Sequence, residues 1–258
     1  MFRRTIHLLL ISCLLPGVSW AASDPFVGEW RVNPSKSRLT DQMKVESVAG
    51  NKYAFELGGG SPEIILPDGT DQPGLGGTTL SVSIEPDSWK VVRKQDGRIL
   101  LTAYWKLSKD GKTLLDDYTQ FGPNGSSTSV KLVFNRTAGT SGFAGTWEST
   151  SATLNSAYVI EVRPYEGDGL SFVNSSQGVT RNVKFDGKEY PLAGPNAVPG
   201  STSSARRVGE HNLEITTSID HKVASTQEAA LSSDGKILTM SIHPAGRTTP
   251  NILVFERQ

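Results

Sequence analysis

The chain predicts an all-β protein made of two tandem copies of one antiparallel domain, and three observations carry that prediction. Phe26-Val27-Gly28-Glu29-Trp30 returns as Phe143-Ala144-Gly145-Thr146-Trp147. Each copy also closes alike, on Leu132-Val133-Phe134-Asn135-Arg136 and on Leu253-Val254-Phe255-Glu256-Arg257. No window holds a convincing helical period, while short alternating apolar runs recur between turn signals at a spacing of roughly 8–12 residues, the pattern of an antiparallel sandwich or barrel.

Taken in order, residues 1–21 read as an export signal. Arg3-Arg4 supplies the positive start, Ile6 to Leu15 the apolar run, and Ser19-Trp20-Ala21 the small residues of a cleavage site after Ala21. The run is too short to span a bilayer comfortably, so the mature chain is expected to have no transmembrane segment and to be periplasmic or secreted. Leu10-Ile11-Ser12-Cys13 loosely resembles a lipobox, which would make the protein an outer-envelope lipoprotein. Against that, Leu14-Leu15 carry the apolar stretch past Cys13. Cys13 is the chain's 1 cysteine, so the mature protein can form no disulfide and no thiol-based metal or haem site.

The first copy, residues 24–137, reads as strands over 44–49, 53–57, 78–85, 89–94, 98–107, 113–121 and 129–136. Gly50-Asn51, Asp96-Gly97 and Lys109-Asp110-Gly111-Lys112 supply turns. The second copy, residues 142–258, repeats these landmarks. Asp220-His221-Lys222 falls on Asp96-Gly97-Arg98, and Leu231-Ser232-Ser233-Asp234-Gly235-Lys236 falls on Leu107-Ser108-Lys109-Asp110-Gly111-Lys112. Only a few small residues, Thr137 to Ser141, join the copies, so the two domains are expected to touch. Each copy also carries a long Gly/Pro-rich stretch, from Gly58 to Gly77 and from Gly194 to Ser201, read as a flexible loop in preference to a lid.

Gly28-Glu29-Trp30 and Gly145-Thr146-Trp147, an up-and-down run of strands and a closing Arg together resemble the lipocalin and calycin pattern. The longer string, from Asp24-Pro25-Phe26 and Asn33-Pro34-Ser35-Lys36-Ser37 to Val254-Phe255-Glu256-Arg257, resembles small exported lipocalin-like domains of bacteria. That resemblance implies two tandem antiparallel up-and-down barrels. In each, the Gly-x-Trp tryptophan closes the floor and the last-strand Arg packs over it, Arg136 on Trp30 and Arg257 on Trp147. The chain departs from the pattern in lacking disulfides. Its second copy also has Ser149-Thr150-Ser151-Ala152 where the first has the Asn-Pro-Ser-Lys-Ser segment.

The chemistry is sparse. Lys plus Arg equals Asp plus Glu at 26 each, and no basic stripe argues for nucleic acid. His211, His221 and His243 have no metal-ligand spacing and read as surface residues. Asp116-Asp117 point to opposite faces of a strand and read as a solvated strand end. Arg206-Arg207 read as a solvated turn in preference to an anion site. With no nucleophile motif and no phosphate loop, no cofactor, metal or catalytic set is expected. If Trp89 and Arg93 share an inner face with Ala103 and Trp105 on the next strand, they could line a pocket, although such residues more often fill a small barrel. The leading expectation is a non-catalytic binding module for a small apolar or amphipathic ligand in the mouth of the first barrel, at those four residues. The alternative is a structural protein with filled barrels that meets a protein or envelope partner.

Overall fold

The computed structural model describes residues 24–57, 61–155 and 158–258. Residues 1–21, read above as an export signal and containing Cys13, and Gly58-Gly59-Gly60 of the first loop lie outside the described residues. Among the described residues all regular structure is β apart from one 3-10 turn at Leu75–Gly77, and the strands form two ten-stranded antiparallel sheets. The first is barrel-shaped, ordered β4 (Glu63–Ile65), β3 (Lys52–Leu57), β2 (Gln42–Val48), β11 (Gly145–Leu154), β10 (Ser127–Ala138), β9 (Thr113–Phe121), β8 (Arg98–Leu107), β7 (Ser88–Gln95), β6 (Thr79–Ile84) and β5 (Gln72–Pro73). The second is a closed barrel. It runs β1 (Gly28–Val32), β12 (Val159–Tyr165), β13 (Gly169–Asn174), β14 (Val179–Val183), β15 (Tyr190–Ala193), β16 (Ser201–Gly209), β17 (Asn212–Ile219), β18 (Lys222–Leu231), β19 (Ile237–Pro244) and β20 (Asn251–Arg257), then back to β1. This fits a tandem lipocalin-like arrangement. The matched turns also agree, because Asp96 and Gly97 share positive φ with Asp220 and His221, as tight hairpins require.

The barrels are not the contiguous repeats, however, because the two Gly-x-Trp strands have changed places. Strand β1 pairs with β12 and β20, so Trp30 lies opposite Ile160 and Arg257. Strand β11 pairs with β10 and β2, so Trp147 lies opposite Arg136 and Met43. The cause is the short connection after β10. Residues 139–144 are too few to carry the chain into another barrel, so β11 folds back on β10 as a hairpin and takes the closing position there. Strand β1 then closes the second barrel, where an equivalent edge stands open. The pairing of Arg136 with Trp30 and Arg257 with Trp147 is therefore corrected: Arg136 lies 4.1 Å over Trp147 and Arg257 lies 4.2 Å over Trp30.

Both floors are built alike. Trp30 and Trp147 are fully buried, and their indole N–H groups donate to the Phe26 and Phe143 carbonyls at 2.8 and 3.0 Å. Arg257 donates to the carbonyls of Gly235, Val27 and Pro25, and Arg136 to those of Gly111, Ala144 and Gly142. Glycine opens the motif because the guanidinium occupies the space where a side chain would begin. A Cβ on Gly28 would come 2.6 Å from Arg257 Nη1, and one on Gly145 would come 2.7 Å from Arg136 Nη1.

The ends opposite the floors face each other. Asn196, in the loop before β16, donates to the Phe121 carbonyl and accepts from Arg98 Nη2 at 2.6 Å. Ser126 donates to the Ser176 carbonyl across the same boundary at 3.1 Å. The barrels touch, mouth to mouth.

Candidate functional site: the cleft between the barrel mouths

Where the mouths meet they leave a cavity of about 810 Å³, within the size range of small-molecule sites. The first barrel contributes Leu75 and Gly76 from its 3-10 turn, with Arg93 and Leu101 from β7 and β8. The second contributes Val198 and Pro199 from the loop before β16, Ile219 from the end of β17, and Lys222 and Val223 from the start of β18. Both Gly/Pro-rich stretches thus form walls of the cleft. Leu75, Val198, Ile219 and Val223 are all exposed, at 45, 42, 36 and 52%. Four of the exposed large apolar side chains among the described residues therefore converge on one concavity, and clustering of this kind marks binding surfaces.

The four residues expected to hold a ligand separate. Trp89, Ala103 and Trp105 do share the inner face of the first barrel, but they are buried in its core. Trp89 stacks on Phe143 at 4.3 Å and meets Tyr53 edge-on at 4.9 Å, while Trp105 lies 5.7 Å from Phe55. This interior is filled by aromatic packing. Arg93 alone of the four reaches the cleft, and its charge is already engaged. Its two Nη atoms meet Glu63 Oε1 and Oε2 at 3.0 and 2.6 Å, and Nη1 also donates to Thr78 Oγ1. Glu63 lies on β4 and Arg93 on β7, on opposite sides of the gap between β4 and β5, so the pair staples the one seam the first sheet leaves unpaired.

Two further readings change. Asp117 is a surface carboxylate paired with Lys131, but Asp116 points inward and is buried rather than solvated. Its Oδ1 and the Trp105 indole N–H both lack a hydrogen bond of sound geometry, although the two residues are direct cross-strand partners. Burial, then the nearby Asp41 carboxylate, raises Asp116 to about 7, and the Trp105 indole offsets this only in part. Asp41 is raised as well, by burial, despite its contacts with the Gln42 backbone N–H and with Arg247 from the second barrel. Burial also pushes the nearby tyrosines Tyr118 and Tyr158 upward. Arg206 and Arg207 are strand residues rather than a turn, paired with Glu214 and Asp24 respectively.

No family model matches the chain, and no curated protein matches it. Among the described residues, no group of His, Cys, Asp or Glu is arranged to hold a metal ion. No helix among them is long and apolar enough to cross a membrane. The cleft residues escaped sequence reasoning because Leu75, Val198 and Val223 lie on separate elements with no common period. The one available signal was apolar side chains set within Gly/Pro-rich segments.

Proposed function

We propose that this protein is an exported, non-catalytic binding module for a small apolar or amphipathic molecule, held in the cleft between the two barrels rather than inside the first. The observation that carries the reading is the convergence of Leu75, Val198, Ile219 and Val223 on a cavity of about 810 Å³. Exposed apolar groups cost nothing extra to cover and gain free energy when a ligand removes them from water, about 25 cal/mol for each Å². Kinship with the exported lipocalin-like domains of bacteria is part of the same reading. It rests on the repeated Gly-x-Trp and closing Arg and on the signal-like residues 1–21.

Native mass spectrometry of the gently purified protein tests this, together with calorimetric titration of decanol. The expected result is a bound species, or decanol uptake at one site, that Ile219→Asp weakens at least tenfold. A clean mass with no decanol uptake would leave the alternative, a structural or interaction protein with filled barrels. The aromatic core around Trp89 and Trp105 is the observation that favours that second reading.

A further inference from the structure

The second barrel holds a cation where its partner holds aromatics. Arg181 lies on β14 two residues beyond Val179, a residue of the cleft wall, so both side chains point to the same inner face. That step places Arg181 about 7 Å deeper than the wall. Its side chain crosses the interior and reaches three other strands. Nε donates to Ser203 Oγ on β16 at 3.0 Å, Nη2 to Thr217 Oγ1 on β17 at 3.2 Å, and Nη1 to Gln227 Oε1 on β18 at 3.4 Å. Every one of these partners is neutral, and Arg181 takes part in none of the ion pairs among the described residues. Burial alone, with no opposing charge, pushes its guanidinium down to about 10.

The surroundings are rich in donors and short of acceptors. A guanidinium carries five N–H groups, and three acceptors leave two of them unspent. Gln227 is 6% exposed, and with its oxygen turned to Arg181 its Nε2 is buried with no acceptor. The Ser203 and Thr217 hydroxyls lie 3.3 Å apart and each can turn a proton toward an incoming oxygen. Surplus donors around an unneutralised cation are the chemistry of an anion site. Arg181 nevertheless keeps some contact with solvent, unlike the buried Ser203 and Gln227.

We propose that Arg181, with Gln227, Ser203 and Thr217, receives the single compact anionic head of the molecule whose apolar part fills the cleft, which makes the ligand an anionic amphiphile such as a medium-chain carboxylate. This rests on the cleft reading above and adds the charge of the ligand to it. At the rim Asp220 repels an anion, Arg93 is engaged by Glu63, and Lys222 is exposed, so water screens its charge; Arg181 instead meets the head group already desolvated and with its donors in place.

Calorimetric titrations of decanoate and decanol against the full mature protein at pH 8 separate the two readings. Decanoate is expected to bind at least tenfold more tightly than decanol. Arg181→Gln should bring decanoate to the level of decanol, while Arg181→Lys should keep part of the preference. Equal affinities for the two ligands in the wild type would overturn the anion site and leave the cleft reading standing. Decanoate preference that survives Arg181→Gln would also overturn it, by placing the anion elsewhere. Uptake of neither ligand would sink both. The wild-type comparison decides the matter even if the Gln variant fails to fold, which circular dichroism would reveal.

Discussion

The two barrels share a frame and differ in what they enclose. Each is floored by a tryptophan under a last-strand arginine, with the same glycine and the same indole-to-carbonyl bond. Above the floors the likeness stops. The first barrel packs Tyr53, Phe55, Trp89, Trp105 and Phe143 against one another and buries the carboxyl of Asp116, which makes no ion pair among the described residues. The second puts Ala229 and Gln227 on the strand corresponding to Trp105, and crosses its interior with Arg181 and neutral hydroxyls. A repeat preserves what the backbone needs, namely floor, turns and register. Interior positions need only fill or line a volume, so they are free to diverge.

The comparison can be broken most forcefully at the floors. Trp30→Ala should cost about 3–5 kcal/mol, the range for large buried aromatics. Because β1 closes the second barrel, hydrogen exchange should accelerate in β12 and β17–β20 and leave β2–β10 protected. Acceleration confined to β2–β10 would refute the strand exchange.

Asp116 comes next. Its folded value of about 7 stands above the ordinary 3.8, so between those pH values the folded protein holds a proton that the unfolded chain has released. Stability is therefore full below about pH 4 and falls as pH rises through 7, by up to about 4 kcal/mol at 1.36 kcal/mol for each unit. Asp41, raised in the same direction, is expected to share the titration. Asp116→Asn should flatten the decline, gaining stability in urea at pH 9 and little at pH 4. An unchanged pH profile would show that the carboxyl is not the source.

The staple across the first sheet's gap should rank third. Arg93→Met leaves the Glu63 carboxylate, whose side chain is 4% exposed, without its cation, at a cost of about 2–3 kcal/mol. Adding Glu63→Gln should recover part of that loss. A cost below about 0.5 kcal/mol would mean that the seam is held by its loops alone. Smallest of all is Val223→Ser on the cleft rim. It should change stability by no more than about 0.5 kcal/mol, yet weaken decanol binding measurably. Unaltered binding would move the ligand away from that wall.

Much of the frame was legible in the residues. Alternation along 89–94 and 98–107 placed Trp89, Ala103 and Trp105 on one inner face, and the structure has them there. Their role was harder to read, because a strand pattern states which way a side chain points and not how much space it finds. Asp116 was misjudged for a related reason: a carboxyl next to Asp117 looks solvated until the barrel closes around it. Arg181 sits in Val179-Thr180-Arg181-Asn182-Val183, where alternation with two valines already pointed it inward. That single signal gains meaning only when Ser203, Thr217 and Gln227 arrive from three distant strands.

What the sequence determined by itself was the β class, the repeat, the turns and the Trp, Arg and Gly that make each floor, because these depend on local periodicity and on chemistry repeated in order. What only the tertiary structure decided was which arginine covers which tryptophan, and where the cleft lies. Equivalent strand edges offer the same backbone hydrogen bonds to either Gly-x-Trp strand, so the residues of the motif do not choose between them. The short connection at 139–144 chooses, by folding β11 back on β10, and the cleft exists because the two completed mouths are then brought face to face.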